Sequence, residues 1–173
     1  AWTCFNLDPA DAALERILFR PFRTSQTFAN LKRHGRGVLH VTDDVGLIAR
    51  AAIHQLEQFP QHIQAEAIDG VILADACRWF AFVVEQIDER TERTAVFART
   101  VASGEQRPFF GLNRAKHAVV EAAILATRLQ WIAAAEVREA IARLRPLIEK
   151  TASSDERDAF DVVVRFIESN GRS

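Results

Sequence analysis

The chain has 173 residues, 49% of them hydrophobic and 26% charged, the mix of a globular domain with a core of its own rather than of a disordered segment. Lys and Arg number 22 against 23 Asp and Glu, a net charge of -1, so there is no general basic field to gather nucleic acid and no polybasic tail for a membrane surface. Apolar runs such as Trp79–Val84 are far too short to cross a bilayer.

The first residues, Trp2–Leu7, read as a short strand that opens abruptly without a Met, so residues are expected ahead of Ala1. Asp8-Pro9-Ala10-Asp11 has turn chemistry. Leu14–Phe22 alternates as a strand, with Pro21 near its end or on an edge. A helix is predicted from about Ser25 to His34, with Phe28 and Leu31 on its buried face and Gly35 and Gly37 stopping it. Val38–Val41 follows as a buried strand. Thr42-Asp43-Asp44 then caps a helix over Val45–Leu56 whose apolar face is Leu47, Ile48, Ala51 and Ala52.

Gln58–Asp75 reads as a connector with room for short strands. Arg78–Asp88 and Ala95–Ala102 form a long β-pair about the polar turn Asp88–Arg93, ending near Ser103-Gly104-Glu105. After Pro108-Phe109-Phe110-Gly111 the period changes. Asn113 is an N-cap for a largely buried helix to about Ala134, with Arg114, His117, Glu121 and Arg128 on one polar stripe. Glu136–Lys150 is helical but holds Pro146, which should kink or break it. Ser153 and Glu156 have capping-box spacing at the start of a last helix whose stripe is Phe160, Val163, Val164 and Ile167.

The candidate site is the segment Arg20–Asp44. Thr24, Ser25, Thr27 and Asn30 set three hydroxyls and an amide around a helix start, with Arg20 and Arg23 just before it. A helix start has backbone N–H groups without internal partners and a partial positive charge. Hydroxyls and cations gathered there suit a phosphate monoester better than a carboxylate, because phosphate has more acceptor oxygens to satisfy. The bland alternative is a capped surface helix, and spacing alone favours it slightly.

Other chemistries find little footing. His34, His40, His54, His62 and His117 lack the close paired spacing of zinc ligands, so no metal site is expected. Cys4 and Cys77 make no disulfide framework and read as reduced thiols of a cytoplasmic protein. Ser25 with His40 and Asp43 lacks the nucleophile-elbow sequence of a serine hydrolase. No residue stands out as acid, base or nucleophile, so no catalytic residue is assigned.

Three separated stretches carry a family resemblance: Arg23–Leu31, then Val41-Thr42-Asp43-Asp44, then Asn113-Arg114-Ala115-Lys116 with Glu121 and Thr127-Arg128. In that order they resemble the family known as domain of unknown function 447, which is similar to flavin reductases and pyridoxamine-phosphate-oxidase-like proteins. The resemblance implies an α+β fold, a Greek-key, antiparallel split β-barrel over residues 1–112 with a C-terminal helical subdomain over 113–173. It also implies FMN as cofactor and a homodimer. Ser25, Thr27 and Asn30 are similar to the phosphate-gripping segment of flavin-reductase barrels, and Arg23, Thr24, Asn113, Arg114 and Lys116 join the implied cofactor-binding set. Two departures stand out. The Gly-containing hairpin with which members begin is not in this sequence, and His40 stands where the family usually has Asn.

The function expected is that of a flavin-dependent oxidoreductase of unknown substrate, reduced by a nicotinamide nucleotide, with no nucleic-acid or membrane partner. The alternatives are a non-enzymatic FMN-binding or redox-sensing protein and a helix-mediated interaction module without cofactor.

Overall fold

The computed structural model describes residues 5–6 and 14–171. In chain order its elements are β1 (Phe5–Asn6), β2 (Arg16–Phe19), α1 (Gln26–His34), β3 (Arg36–Val41), α2 (Val45–Ala52), β4 (His62–Gln64), β5 (Val71–Leu73), β6 (Arg78–Asp88), β7 (Ala95–Glu105), α3 (Arg114–Ala126), α4 (Ala134–Thr151) and α5 (Ser154–Asn170). Apart from Phe5–Asn6, the expected first strand lies outside the described residues, as do the Asp8–Asp11 turn and Cys4.

Five strands form one antiparallel sheet in the order β1-β2-β7-β6-β3, and β4 and β5 make a separate two-stranded sheet. β3, β6 and β7 are successive neighbours while β2 lies beside β7, which is the Greek-key order traced backwards along the chain. The fold is thus the expected α+β split-barrel type. Two irregularities in the β6–β7 ladder, between Ala81 and Phe82 and between Val84 and Gln86, sharpen its twist.

The chain packs as two compact units, Ala1–Thr42 with Pro60–Phe109, and Asp43–Phe59 with Phe110–Ser173. In the sheet unit, Ile17, Phe19, Phe80, Phe82, Val96 and Ala98 form the core, and α1 adds Phe28 and Leu31 to it. Burying two such side chains contributes about 1.5–3 kcal/mol each, which holds a nine-residue helix that would be marginal alone. Gly35 ends α1 in the left-handed conformation, φ 63°, its amide donating to the Leu31 carbonyl at 2.9 Å. Gly37 lies so close to the Phe82 ring that a Cβ would stand 2.8 Å from it.

The helical unit has its own core, built from the small face of α3 (Ala115, Ala118, Val119, Ala122) against Val137 and Ile141 of α4 and Phe160 and Val163 of α5. Val45 and Ala49 of α2 and its cap Ile53 join it, so a helix that sits among the strands in sequence belongs to this unit in space.

Several expected boundaries move, each for a physical reason. β2 stops at Phe19 rather than Phe22, because Pro21 has no N–H and Phe22 makes only an isolated bridge with Arg93. β3 is half-buried rather than buried, since it forms an edge of the sheet. α2 ends at Ala52, where Ile53 caps it and His54 takes φ 57°. α3 ends at Ala126, not near Ala134, and residues 127–132 form turns instead. Pro146 lies inside α4, which continues to Thr151. Of the residues expected on one polar stripe, Arg114, His117 and Glu121 are exposed on α3, and Arg128 lies beyond the helix in the turn that follows.

Candidate functional site

The start of α1 is built from local sequence. Phe22 and Ser25 close a turn through the Ser25 amide and the Phe22 carbonyl at 2.9 Å, and the Ser25 hydroxyl then accepts from the Phe28 amide at 3.2 Å as N-cap. The amides of Gln26 and Thr27, in the first turn, have no intrahelical partner by geometry. Thr24 is exposed and Thr27 half-buried, and among the described residues neither side chain has a hydrogen-bond partner. The same holds for the guanidinium groups of Arg20 and Arg23, both exposed. Asn30 accepts from the Gln26 side chain at 2.8 Å, which leaves its own NH2 group as a donor. Arg23, Thr24, Ser25, Thr27 and Asn30 are therefore gathered at one helix start with donors to spare.

The turn between β6 and β7, a polar turn by its sequence, forms a second wall to this segment. The Arg23 amide donates to the Glu92 carbonyl at 3.0 Å. The amide and the hydroxyl of fully buried Thr94 both donate to the Pro21 carbonyl, each at 3.0 Å. The Arg93 guanidinium lies over the Phe22 ring, 4.3 Å from its centroid. At the other end of α1, Lys32 pairs with Glu89 at 2.8 Å. No local signal announces which segment a polar turn will dock on.

The second group of expected residues belongs to the helical unit. Asn113 is the N-cap of α3, accepting from the Lys116 amide at 2.7 Å and donating to the Thr151 carbonyl at 3.4 Å. Arg114 is exposed, with no side-chain partner among the described residues. Lys116 is not an exposed cation. Its ammonium lies 3.7 Å from the carboxylate of Asp43, with side-chain exposures of 14% and 5%. Asp43 also accepts from the Phe110 amide at 3.0 Å. Burial works against the charge on Glu156, but the Ser153 hydroxyl (2.5 Å), the Ser153 amide (2.7 Å) and the charge of Lys116 together hold its carboxyl below the usual range. Lys116 thus has acidic company within its own unit.

His40, the departure from the family pattern, has a structural task in the sheet unit. Its Nε2 accepts from the Leu73 amide at 3.1 Å, tying β3 to β5, and burial lowers its pKa, which favours the neutral ring that such an acceptor requires. Among the described residues no group of three or more His, Cys, Asp or Glu is placed to hold a metal ion, and no helix is long and apolar enough to cross a membrane.

An antiparallel Greek-key sheet carrying a donor-rich helix start, joined to a helical unit, defines an α+β protein of the split-barrel type. The family model described as the N-terminal domain of a protein of unknown function, DUF447, matches residues 12–107, and its companion DUF447 model matches residues 113–165. The chain belongs to the DUF447 family. Among solved structures it is similar to the FMN-bound DUF447 protein MM1853 from Methanosarcina mazei, with 20% identity, a TM-score of 0.77, and coverage of 94% of this chain and 84% of that one. It is also similar to a homologue of nitrilotriacetate monooxygenase component B from Mycobacterium thermoresistibile (14% identity, TM-score 0.48, 58% and 57% of the two chains). A third similar structure is an FMN-binding protein from Thermus thermophilus (12%, 0.45, 61% and 60%). No curated protein matches the chain.

Proposed function

We propose that this chain is an FMN-binding flavoprotein, working as a homodimeric, cytoplasmic, flavin-dependent oxidoreductase with a nicotinamide nucleotide as reductant. The observation that carries the reading is the donor set at the start of α1: two first-turn amides, the hydroxyls of Thr24 and Thr27, the NH2 group of Asn30 and the guanidinium of Arg23, which has no partner among the described residues. A phosphate monoester has acceptor oxygens enough to use that set, so the residues present fit FMN. The FMN-bound state of MM1853, which shares the fold, supports it.

Thr24, Thr27, Asn30 and Arg23 would hold the phosphate, while Ser25 keeps the helix start in shape by capping Phe28. Bound FMN supplies the hydride and electron chemistry, which explains why the chain offers no evident acid, base or nucleophile. Lys116 and Asn113 keep their helix-capping and ion-pairing tasks, so the phosphate relies on the α1 segment.

The visible absorption spectrum of the purified protein after addition of FMN is the first test, and a protein that takes up none overturns the reading. Thr27→Ala and Asn30→Ala should each weaken FMN binding by about 1.5–3 kcal/mol, the range for one hydrogen bond to a charged acceptor. Unchanged affinity in both would remove the site from α1. Steady-state NADH or NADPH oxidation by the loaded protein separates an oxidoreductase from a flavoprotein that only stores or senses.

A further inference from the structure

Beyond the donors that grip one phosphate, the sheet unit holds a cationic, aromatic shelf that one phosphate does not need. Phe22 is 44% exposed although it sits in the turn that leads into α1. Arg93 lies over its ring and has no carboxylate partner among the described residues. The shelf is held in place by backbone, through Arg23 to Glu92 and Thr94 to Pro21, and by the Thr91 hydroxyl donating to the Arg93 carbonyl at 2.6 Å. Neighbouring acids are mostly engaged. Asp88 pairs with Arg90 and Glu89 with Lys32, which leaves Glu92 as the acid of that turn without an ion-pair partner among the described residues, against the guanidinium groups of Arg23 and Arg93.

We infer that Phe22 and Arg93 form a subsite for the adenylate half of a dinucleotide: a second phosphate meets Arg93, and the base stacks on the Phe22–Arg93 platform. This rests on the FMN reading of the α1 start. The chemistry follows from the parts. A guanidinium offers paired donors to a phosphate, and guanidinium planes and phenyl rings both stack on nucleobases without reading their edges. The fixed backbone around Arg93 lowers the ordering cost of such a contact.

Two dinucleotides carry that half, FAD and a nicotinamide dinucleotide, and calorimetry separates them. Apo-protein is titrated with FMN and with FAD, and FMN-saturated protein is titrated with ADP, each for wild type, Arg93→Ala and Phe22→Ala. Because both side chains are exposed, Arg93→Gln serves as a second variant should either truncation fold poorly. If the shelf serves FAD, Arg93→Ala weakens FAD about tenfold or more, the loss expected for one charge-assisted contact, and moves FMN less than about threefold. If it serves the reductant, ADP binds the FMN-loaded protein and loses affinity by the same factor in the variant. Equal effects on FMN and FAD, or no Arg93-dependence in either arm, overturn the subsite while FMN binding stands. A protein that binds no flavin overturns the FMN reading itself, and the subsite falls with it.

Discussion

Replacing Lys116 by Met tests whether the helical unit is held by a buried charge or only by its apolar core. The ammonium stands 3.7 Å from Asp43, and at an effective dielectric constant of about 20 the gross attraction is roughly 4 kcal/mol. The methionine keeps most of the stem's volume, so the loss is electrostatic rather than a cavity. Asp43 keeps the Phe110 amide and Glu156 keeps Ser153, which softens the penalty without cancelling it. The expected destabilisation is about 2–4 kcal/mol, at or just below the range for breaking a buried pair. Urea unfolding followed by circular dichroism measures it through the midpoint at constant slope. The double variant Asp43→Asn with Lys116→Met should recover part of the loss, because the Asp43 carboxylate no longer faces an apolar side chain at 116, while Glu156 keeps its Ser153 hydrogen bonds. A single variant within about 0.5 kcal/mol of wild type, or a double variant worse than the sum of its parts, would refute the reasoning.

Ser25→Ala removes the hydroxyl that caps Phe28 and should cost about 1 kcal/mol by thermal or urea unfolding, with Ser25→Asp largely restoring it. An alanine variant as stable as wild type would mean that another group caps α1. His40 gives a pH signature. Its folded pKa lies below the ordinary 6.5, so as pH falls from about 7 the unfolded histidine binds a proton before the folded one does, and stability drops through the folded pKa. His40→Asn keeps an acceptor for Leu73 and should flatten that dependence as the pH falls below the ordinary histidine range. An unchanged pH slope in urea midpoints would show that His40 is not its source.

What could be read from sequence was what neighbours in sequence decide. The Ser25 cap, the Gly35 stop, the Asn113 cap and the capping box of Ser153 with Glu156 are each fixed within about four residues, and each is formed. The family motifs of the α1 segment led to the same helix start that has donors to spare. Lengths were less legible. α3 stops at Ala126 although Leu129, Trp131 and Ile132 continue a helix-compatible pattern, and α4 runs through Pro146 although propensity argues against it, because tertiary packing outweighs local preference. Least legible were contacts between distant stretches. The grouping of Asp43, Lys116 and Glu156, and the docking of the 88–94 turn on Phe22, join residues whose types alone give no hint of partnership.

The threading of α2 through the helical unit has a consequence for how the chain is made. Its buried residues Val45 and Ala49, with the cap Ile53, leave the ribosome long before α3 and α5 exist to cover them, while strands β6 and β7 emerge in between. A nascent chain halted after β7 therefore displays a helix with no seat. Cutting the gene at the family-model junction would separate that helix from its bundle permanently, leaving one product sticky and the other short of a wall.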